Sequence, residues 1–356
     1  MRLLVVNAGS SSLKLRVLAD GDELLAEADN EWPGGEPFPA GALTGLPAVD
    51  AVAHRVVHGG EAFRAATWID PEVRSRLERL TPLAPLHQPR ALAGIDGTAA
   101  ALPGIRAAAC FDTAFHATLP AAAAVYALPA QWRERWTLRR FGFHGLSHAY
   151  ASRRAAELLD RPYEDLRIVS CHLGAGASLA AVAGGRSVDT TMGFTPLEGL
   201  VMATRAGSVD PGLLLWLLQQ GHLDVDALAD GLEHGSGLAG LSGTADMREL
   251  LGRDDPAARL ALDVFVHRLR ASIGAMAATL DGLDALVFTG GIGEHAPAVR
   301  TATAAGLGFL GVRLDAERNA AARADADIGA AGARAASLVV SAREDREIAR
   351  QVRALA

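Results

Sequence analysis

The chain has 356 residues, half of them apolar and 21% charged, with a formal net charge of −7. That length and composition suit a globular protein of two domains with sizeable cores, needing no disulfide staples. The acidic balance argues against a nucleic-acid partner, which requires a basic patch.

Residues 3–18 (LLVVNAGSSSLKLRVL) read as an apolar strand, a small-residue turn and a second apolar strand, which predicts a hairpin. The apolar run from Leu3 to Val6 is too short for a signal-peptide core. Lys14 is the only lysine, every other basic residue being arginine. A lone lysine in a Ser-rich turn marks a candidate site for a compact ammonium. Residues 31–45, rich in Gly and Pro, read as loop. Helices are predicted over 71–80, 148–159, 211–220 and 256–280. The last is amphipathic through Leu262, Phe265, Val266, Leu269 and Ile273. Cys110 and Cys171 end apolar runs and read as buried thiols of a reducing, cytosolic compartment. The stretch 113–131 lacks Asp, Glu, Lys and Arg but contains His116, Pro120 and Pro129, so no membrane span is expected. Residues 167–182 (RIVSCHLGAGASLAAV) repeat the hairpin pattern. Residues 285–295 (ALVFTGGIGEH) give a strand and a turn, with a helix starting over 294–306 and Pro297 in its first turn. Residues 314–336 read as helix, then loop. Strands alternating with helices indicate an α/β protein, and the repeated hairpins about half a chain apart suggest two related lobes.

Gly-rich turns between strands expose N–H groups that cradle phosphates. No GxxxxGK[ST] sequence is present, so this is not a P-loop protein. Polar clusters stand in apolar surroundings at 54–60, 85–87, 111–116, 139–145, 189–199 and 204–205. Arginine forks among them suit phosphate and carboxylate oxygens. The plain alternative for Arg55 and Arg205 is a structural ion pair. His54, His58, His116, His148 and His172 read as capping or core histidines, and Glu198 as a hydrogen-bonded structural carboxylate. His144 and His148 have the i, i+4 spacing of a zinc site, but Gly145 stands where HExxH needs its Glu, which disfavours a metallohydrolase.

Eight motifs, NAGSSSLK, HRVVHGGE, PLAPLH, FDTAFH, FGFHGLSH, HLGAGAS, SVDTTMGFTPLEGLVMATRAG and TGGIGEH, resemble the acetate kinase family in the family's order. The resemblance implies the duplicated two-lobe actin/hexokinase-like (ribonuclease H-like) fold, with an active-site cleft between lobes, and a cytoplasmic homodimer. It implies a first lobe over 1–150, on which 345–356 packs back, and a nucleotide-binding, dimer-forming second lobe over 151–344. It implies ATP as co-substrate with Mg²⁺ or Mn²⁺. Residue by residue, Asn7 and Glu344 match the metal site. Ser10, Ser12 and Lys14 match a phosphate-side turn. Arg55, Asp112, His144 and Arg205 match the catalytic set, the two arginines holding the substrate carboxylate and the phosphoryl group. His87 matches a second active-site histidine, and Val57, Leu86, Phe143 and Pro196 the acetate-methyl pocket. His172, Gly174, Ala175, Gly176, Asp246, Met247, Arg248, Gly291, Ile292, Gly293, Glu294 and His295 match the nucleotide side. The chain departs from the family at Ala175 and His295, each in place of Asn, at Ala342–Asp345, and in a shortening between Leu18 and Val52.

A carboxylate acceptor is already ionised at neutral pH and needs no general base. The expected chemistry is in-line phosphoryl transfer by positioning and charge neutralisation. A propionate or butyrate kinase of the same family stays open, because a methylene in an apolar pocket is worth only about 1–3 kcal/mol. So does an actin-like ATPase without a small-molecule acceptor.

Overall fold

The computed structural model describes residues 1–9, 12–33, 36–323 and 325–356. The chain divides into two compact units. One comprises Met1–Ala117, Phe143–Tyr150 and Arg343–Ala356; the other comprises Thr118–Gly142 and Ala151–Ala342.

In the first unit, β1 (Leu3–Ala8) and β2 (Ser12–Leu18) form the expected antiparallel hairpin, closed by Gly9 N–H donating to the Ser12 carbonyl (2.8 Å). β2 buries Leu13, Leu15 and Val17 and turns Lys14 outward, the alternation of a half-buried strand. β3 (Leu24–Glu31), β4 (Ala51–Val56), β5 (Thr67–Trp68) and β6 (Arg106–Phe111) complete a sheet in the order β3-β2-β1-β4-β6-β5. β1, β4 and β6 run parallel. One sheet face packs Leu3, Val5, Leu18, Ala53 and Cys110 against Ile348, Ala349 and Val352 of the C-terminal helix Glu344–Arg353. The other buries Leu4, Val6, Leu13, Leu15, Val17 and Trp32.

In the second unit, β7 (Arg167–Leu173), β8 (Ala177–Ala183), β9 (Arg186–Thr190), β10 (Ala285–Thr289), β11 (Ala326–Asp327) and β12 (Ala336–Val339) form a sheet in the order β11-β12-β10-β7-β8-β9. Read from the other edge, this is the first sheet again. A three-strand antiparallel meander leads to two parallel strands and a short antiparallel edge strand that precedes its neighbour in sequence.

The predicted helices form at Pro71–Glu78, Gly145–Leu158, Pro211–Gln219 and Pro256–Thr279. Three begin with an Asp-Pro pair. Asp70, Asp210 and Asp255 accept backbone N–H bonds as N-caps, and the proline fills the first turn, where no donor is needed. The long helix buries Phe265, Leu269 and Ile273, as its spacing requires.

Two expectations need correction. The segment after β10 is not an open turn: it enters the helix Gly290–His295 directly, and a second helix, Pro297–Ala304, follows. Residues 314–336 hold a short helix, Ala316–Ala321, and then β11 and the start of β12, whose Ala-rich sequence carries little strand signal. β3 and the helix Gln88–Ala101 have no sequence forecast; the polar-alternating β3 buries no residue on either face. Among the described residues, no helix is long and apolar enough to cross a membrane.

Candidate active site

The first unit gathers its charge at the carboxyl ends of its parallel strands. Asn7 lies near the end of β1, Arg55 near the end of β4, and Asp112 just past β6. The Arg55 fork donates Nε to Asp112 Oδ1 (3.1 Å) and Nη2 to Asp112 Oδ2 (2.7 Å). Its Nη1 donates to Asn7 Oδ1 (3.3 Å) and lies 3.7 Å from the Glu344 carboxylate. Asp112 is fully buried and Arg55 mostly so. Burial disfavours the guanidinium charge, but Asp112 and Glu344 more than offset it, and the net shift is upward.

His144 adopts a left-handed backbone (φ +54°) at the entry to the helix Gly145–Leu158. A side chain disfavours that region, so the packing around it must hold it there. Gly145 N–H donates to the Asp112 carbonyl (2.9 Å), and a Cβ at Gly145 would lie 2.2 Å from that oxygen. Only glycine lets the helix start this close to Asp112. Beside it, the Phe143 ring packs edge-on to His58 at 5.5 Å, and the His116 ring bonds the Phe143 carbonyl through Nε2 (3.0 Å). Burial pushes His58 and His116 down to about 4, and His54 to about 3, so all three stay neutral at physiological pH.

In the second unit, Arg205 Nη1 donates to the Pro196 carbonyl (2.8 Å). Among the described residues Arg205 has no ion pair. Burial lowers its pKa, and Glu233 counters this only in part. A half-buried guanidinium held by one carbonyl is prepared for an anion. The turn between β7 and β8 is closed by Gly174 N–H to the Gly176 carbonyl (2.9 Å), and the Ala175 carbonyl accepts Ala203 N–H (3.0 Å). Asp246 caps the helix Met247–Leu251 and pairs with Arg248 (2.6 Å); its pKa falls to about 2, chiefly through that hydrogen bond. Glu294 Oε1 accepts N–H bonds from Gly290 (3.1 Å) and Ala342 (3.0 Å).

The profile of the Acetokinase family matches residues 42–350. The chain belongs to this family. It is 48% identical to the acetate kinase of Synechococcus sp. (strain JA-2-3B'a(2-13)), with 98% of each chain covered, and 45% identical to that of Gloeobacter violaceus (strain ATCC 29082 / PCC 7421), covering 99% of this chain and 98% of the other. Among solved structures it resembles Porphyromonas gingivalis acetate kinase (TM-score 0.91, 34% identity, all of both chains). It also resembles a propionate kinase from Francisella tularensis subsp. tularensis SCHU S4 (TM-score 0.90, 32% identity, 98% of each). The two matching sheets are the duplicated α/β fold, of actin/hexokinase type, of these acetokinases.

The acetokinase motifs therefore place Asn7, Arg55, Asp112 and Glu344 in one cluster of the first unit, with Phe143, His144 and Val57 in the same unit. Leu86 is half exposed, and His87 stands at the start of the helix Gln88–Ala101. Ser12 begins β2, and Lys14 is exposed, in register with Asn7 on the neighbouring strand. Ser10 lies outside the described residues. His172 is the penultimate residue of β7, near the Gly174–Gly176 turn; Gly291, Ile292, Gly293 and His295 lie on one short helix; Met247 is buried. Sequence reasoning missed Arg300. It is fully buried and donates to the Gly293 and Glu294 carbonyls (2.8 Å each) and to Asn319 (2.7 Å), fixing the Gly290–His295 helix from behind.

Proposed function

We propose that the chain is an ATP-dependent acetate kinase that reversibly transfers the γ-phosphoryl group of ATP to acetate, giving acetyl phosphate and ADP. The Asn7–Arg55–Asp112–Glu344 cluster carries this reading. An actin-like ATPase has no use for an arginine fixed at its Nε edge by a buried aspartate. A carboxylate kinase needs such a group, rigidly aimed, for its acceptor. Asp112 holds the guanidinium, and the Nη1 edge is the part that turns to substrate. His144 and Arg205 neutralise charge on the transferring phosphoryl group. Val57, Leu86, Phe143 and Pro196 take the acceptor's methyl. The turn Gly174–Gly176, Asp246–Arg248 and Gly291–His295 take the nucleotide, with Ser10, Ser12 and Lys14 on its phosphate side.

The oxygens of Asn7, Asp112 and Glu344 converge on Arg55, a hard-donor set with two carboxylates that fits Mg²⁺. Asn7 and Glu344 would hold the ion and Asp112 would support it; when bound, Mg²⁺ supplies positive charge to the phosphate oxygens.

The apolar helix Pro211–Gln219 buries no residue, and Leu213, Leu215 and Trp216 are about half exposed. An apolar face of this kind supports a homodimer. Light scattering should return twice the chain mass for the wild type and the monomer mass for Leu215→Glu. The reduced, buried Cys110 and Cys171 suit the cytoplasm.

Hydroxamate trapping of acyl phosphate, with ATP turnover measured with and without acetate, tests the function. Turnover independent of any carboxylate would leave the ATPase. A propionate kinase is the second reading, favoured by the Francisella neighbour. Comparing kcat/KM for acetate and propionate decides between them.

A further inference from the structure

A network in the second unit surrounds the segment that carries Pro196. Glu198 Oε2 accepts the Tyr126 hydroxyl (2.6 Å), and Glu198 Oε1 accepts Arg140 Nη2 (2.7 Å). Arg140 Nη1 donates to three successive carbonyls, those of Thr190 (3.2 Å), Thr191 (3.1 Å) and Met192 (3.1 Å). The Tyr126 oxygen in turn accepts Phe194 N–H (2.9 Å). The Gly193 carbonyl takes N–H bonds from Phe141 (3.0 Å) and Gly142 (3.2 Å). Gly193 itself is fenced in: a Cβ there would lie 1.8 Å from Glu198 Oε2 and 2.2 Å from the Tyr126 oxygen. The backbone from Thr190 to Phe194 is thus gripped on one side by groups that converge on a single carboxylate.

The network itself borders a cavity of about 480 Å³, lined by Tyr126, Glu198, Thr195, Leu197 and Ser208, among others. Thr195 and Leu197, on either side of Pro196, lack packing on that side, so the position of this stretch depends on the polar network. Two residues before Glu198, the Pro196 carbonyl holds Arg205.

We propose that Glu198, with Tyr126 and Arg140, is the positioning centre for the acceptor side of the second unit, setting Pro196 and, through its carbonyl, the Arg205 guanidinium. This assignment rests on the acetate kinase reading above and deepens it. Glu198 touches no substrate. It acts by fixing where the Pro196 ring and carbonyl stand, while the nucleotide-side groups at Gly174–Gly176, Asp246–Arg248 and Gly291–His295 lie outside its network. Loss of the network therefore moves acceptor kinetics and leaves donor kinetics alone, a split that general destabilisation does not produce.

The experiment is steady-state kinetics of Glu198→Gln, which keeps the side chain's shape and removes the charge that Arg140 pairs with. Losing one charge-assisted bond of this type should raise the acetate KM about tenfold and lower kcat by a similar factor. The ATP KM should stay within about twofold, and the acetate-to-propionate ratio of kcat/KM should shift because Pro196 is freed. Tyr126→Phe deletes a single hydroxyl and should move the same parameters in the same direction by about threefold. It stands in if Glu198→Gln fails to fold, as judged by circular dichroism and Tm. Equal rises in both KM values, or no change in either, would overturn the assignment. A wild-type protein without carboxylate-dependent turnover would overturn the acetate kinase reading and the assignment together, so the two failures are distinguishable.

Discussion

The two sheets share one topology but end differently. With Ala8 and Leu173 taken as matching ends of the hairpin strands, Asn7 corresponds to His172 and Arg55 to Thr289. The same registers match Asp112 with Ala342. The first unit thus places an amide, a guanidinium and a carboxylate where the second places an imidazole, a hydroxyl and a methyl. The second unit follows its strands with Gly174–Gly176 and with Gly290, residues that offer backbone. A duplicated sheet supplies strand ends pointing the same way, and divergence has filled one set with charge and the other with turns and short helices. Charge suits an acceptor carboxylate and a metal; exposed N–H groups suit a nucleotide's phosphates.

The widest test of that division is to remove charge from each unit. Arg55→Ala and Arg205→Ala should each lower kcat by about 10³–10⁵, the range for an arginine that stabilises phosphoryl transfer. Lysine at either position should restore little, being a point charge without the planar fork. Near-normal kcat in Arg205→Ala alone would confine the charged chemistry to the first unit. Near-normal values in both would mean that neither guanidinium serves the transfer.

The next largest effect is on stability. Asp112 is buried against Arg55, so Asp112→Ala takes away the carboxylate that the Arg55 fork grips, leaves only the looser Glu344 pair, and should cost about 3–5 kcal/mol in urea unfolding. Asp246→Ala in the second unit removes a half-exposed carboxylate from an exposed arginine and uncaps the short helix Met247–Leu251, and should cost much less than Asp112→Ala. Equal losses in the two variants would erase the contrast between a built charge cluster and a surface pair.

Much of this was legible in the sequence. The hairpins at 3–18 and 167–182 show as apolar runs around small-residue turns, and the helices expected from 71, 211 and 256 begin at those residues. The motif histidines and arginines stand out because they interrupt apolar segments. What stayed hidden has physical causes. β3 and β12 lack hydrophobic alternation, since β3 lies at an edge and buries nothing while β12 is only four residues, Ala-Ser-Leu-Val, with Ser337 buried among them. The helical state of Gly290–His295 is hidden by its glycines; it is held by Glu294 capping Gly290 and by Arg300 gripping the last carbonyls, partners 4 to 7 residues away in sequence. The pairing of Arg55 with Asp112 spans 57 residues and needs the parallel register of β4 and β6, which no local pattern reveals.

Acid should separate the units more gently. Burial holds His54, His58 and His116 of the first unit neutral, with pKa values of about 3, 4 and 4. Unfolded, each titrates near 6.5. The stability they contribute is complete above pH 6.5 and is lost as pH falls toward 4, by about 1.4 kcal/mol per pH unit for each group. Amide exchange at pH 7, 6 and 5 should therefore show the first unit losing protection before the second. His54→Gln should reduce that slope by one histidine's share, about 1.4 kcal/mol per pH unit. Parallel loss in both units would show that these histidines do not set the acid limit.

The smallest effect concerns Ala175, where the second unit's turn lacks the family's asparagine. The missing amide would donate to a phosphate, and a hydrogen bond to a charged acceptor is worth about 1.5–3 kcal/mol. The turn is nonetheless intact. Gly174 N–H still closes on the Gly176 carbonyl, and the Ala175 carbonyl still holds Ala203, two residues before Arg205. The side chain at 175 is exposed, so an asparagine enters without disturbing either bond. Ala175→Asn should then lower the ATP KM by up to about tenfold and leave acetate KM unchanged, as expected when binding is added equally to ground and transition states. A change in acetate KM would show that position 175 reaches the acceptor side through Ala203, and the division between donor and acceptor groups would be less clean than the two strand ends suggest. A donor screen with ATP, GTP and pyrophosphate completes the test. If GTP or pyrophosphate exceeds ATP by about an order of magnitude in kcat/KM, the alanine marks a changed donor, because a single lost hydrogen bond of this size accounts for weaker ATP binding but not for a preference for another donor.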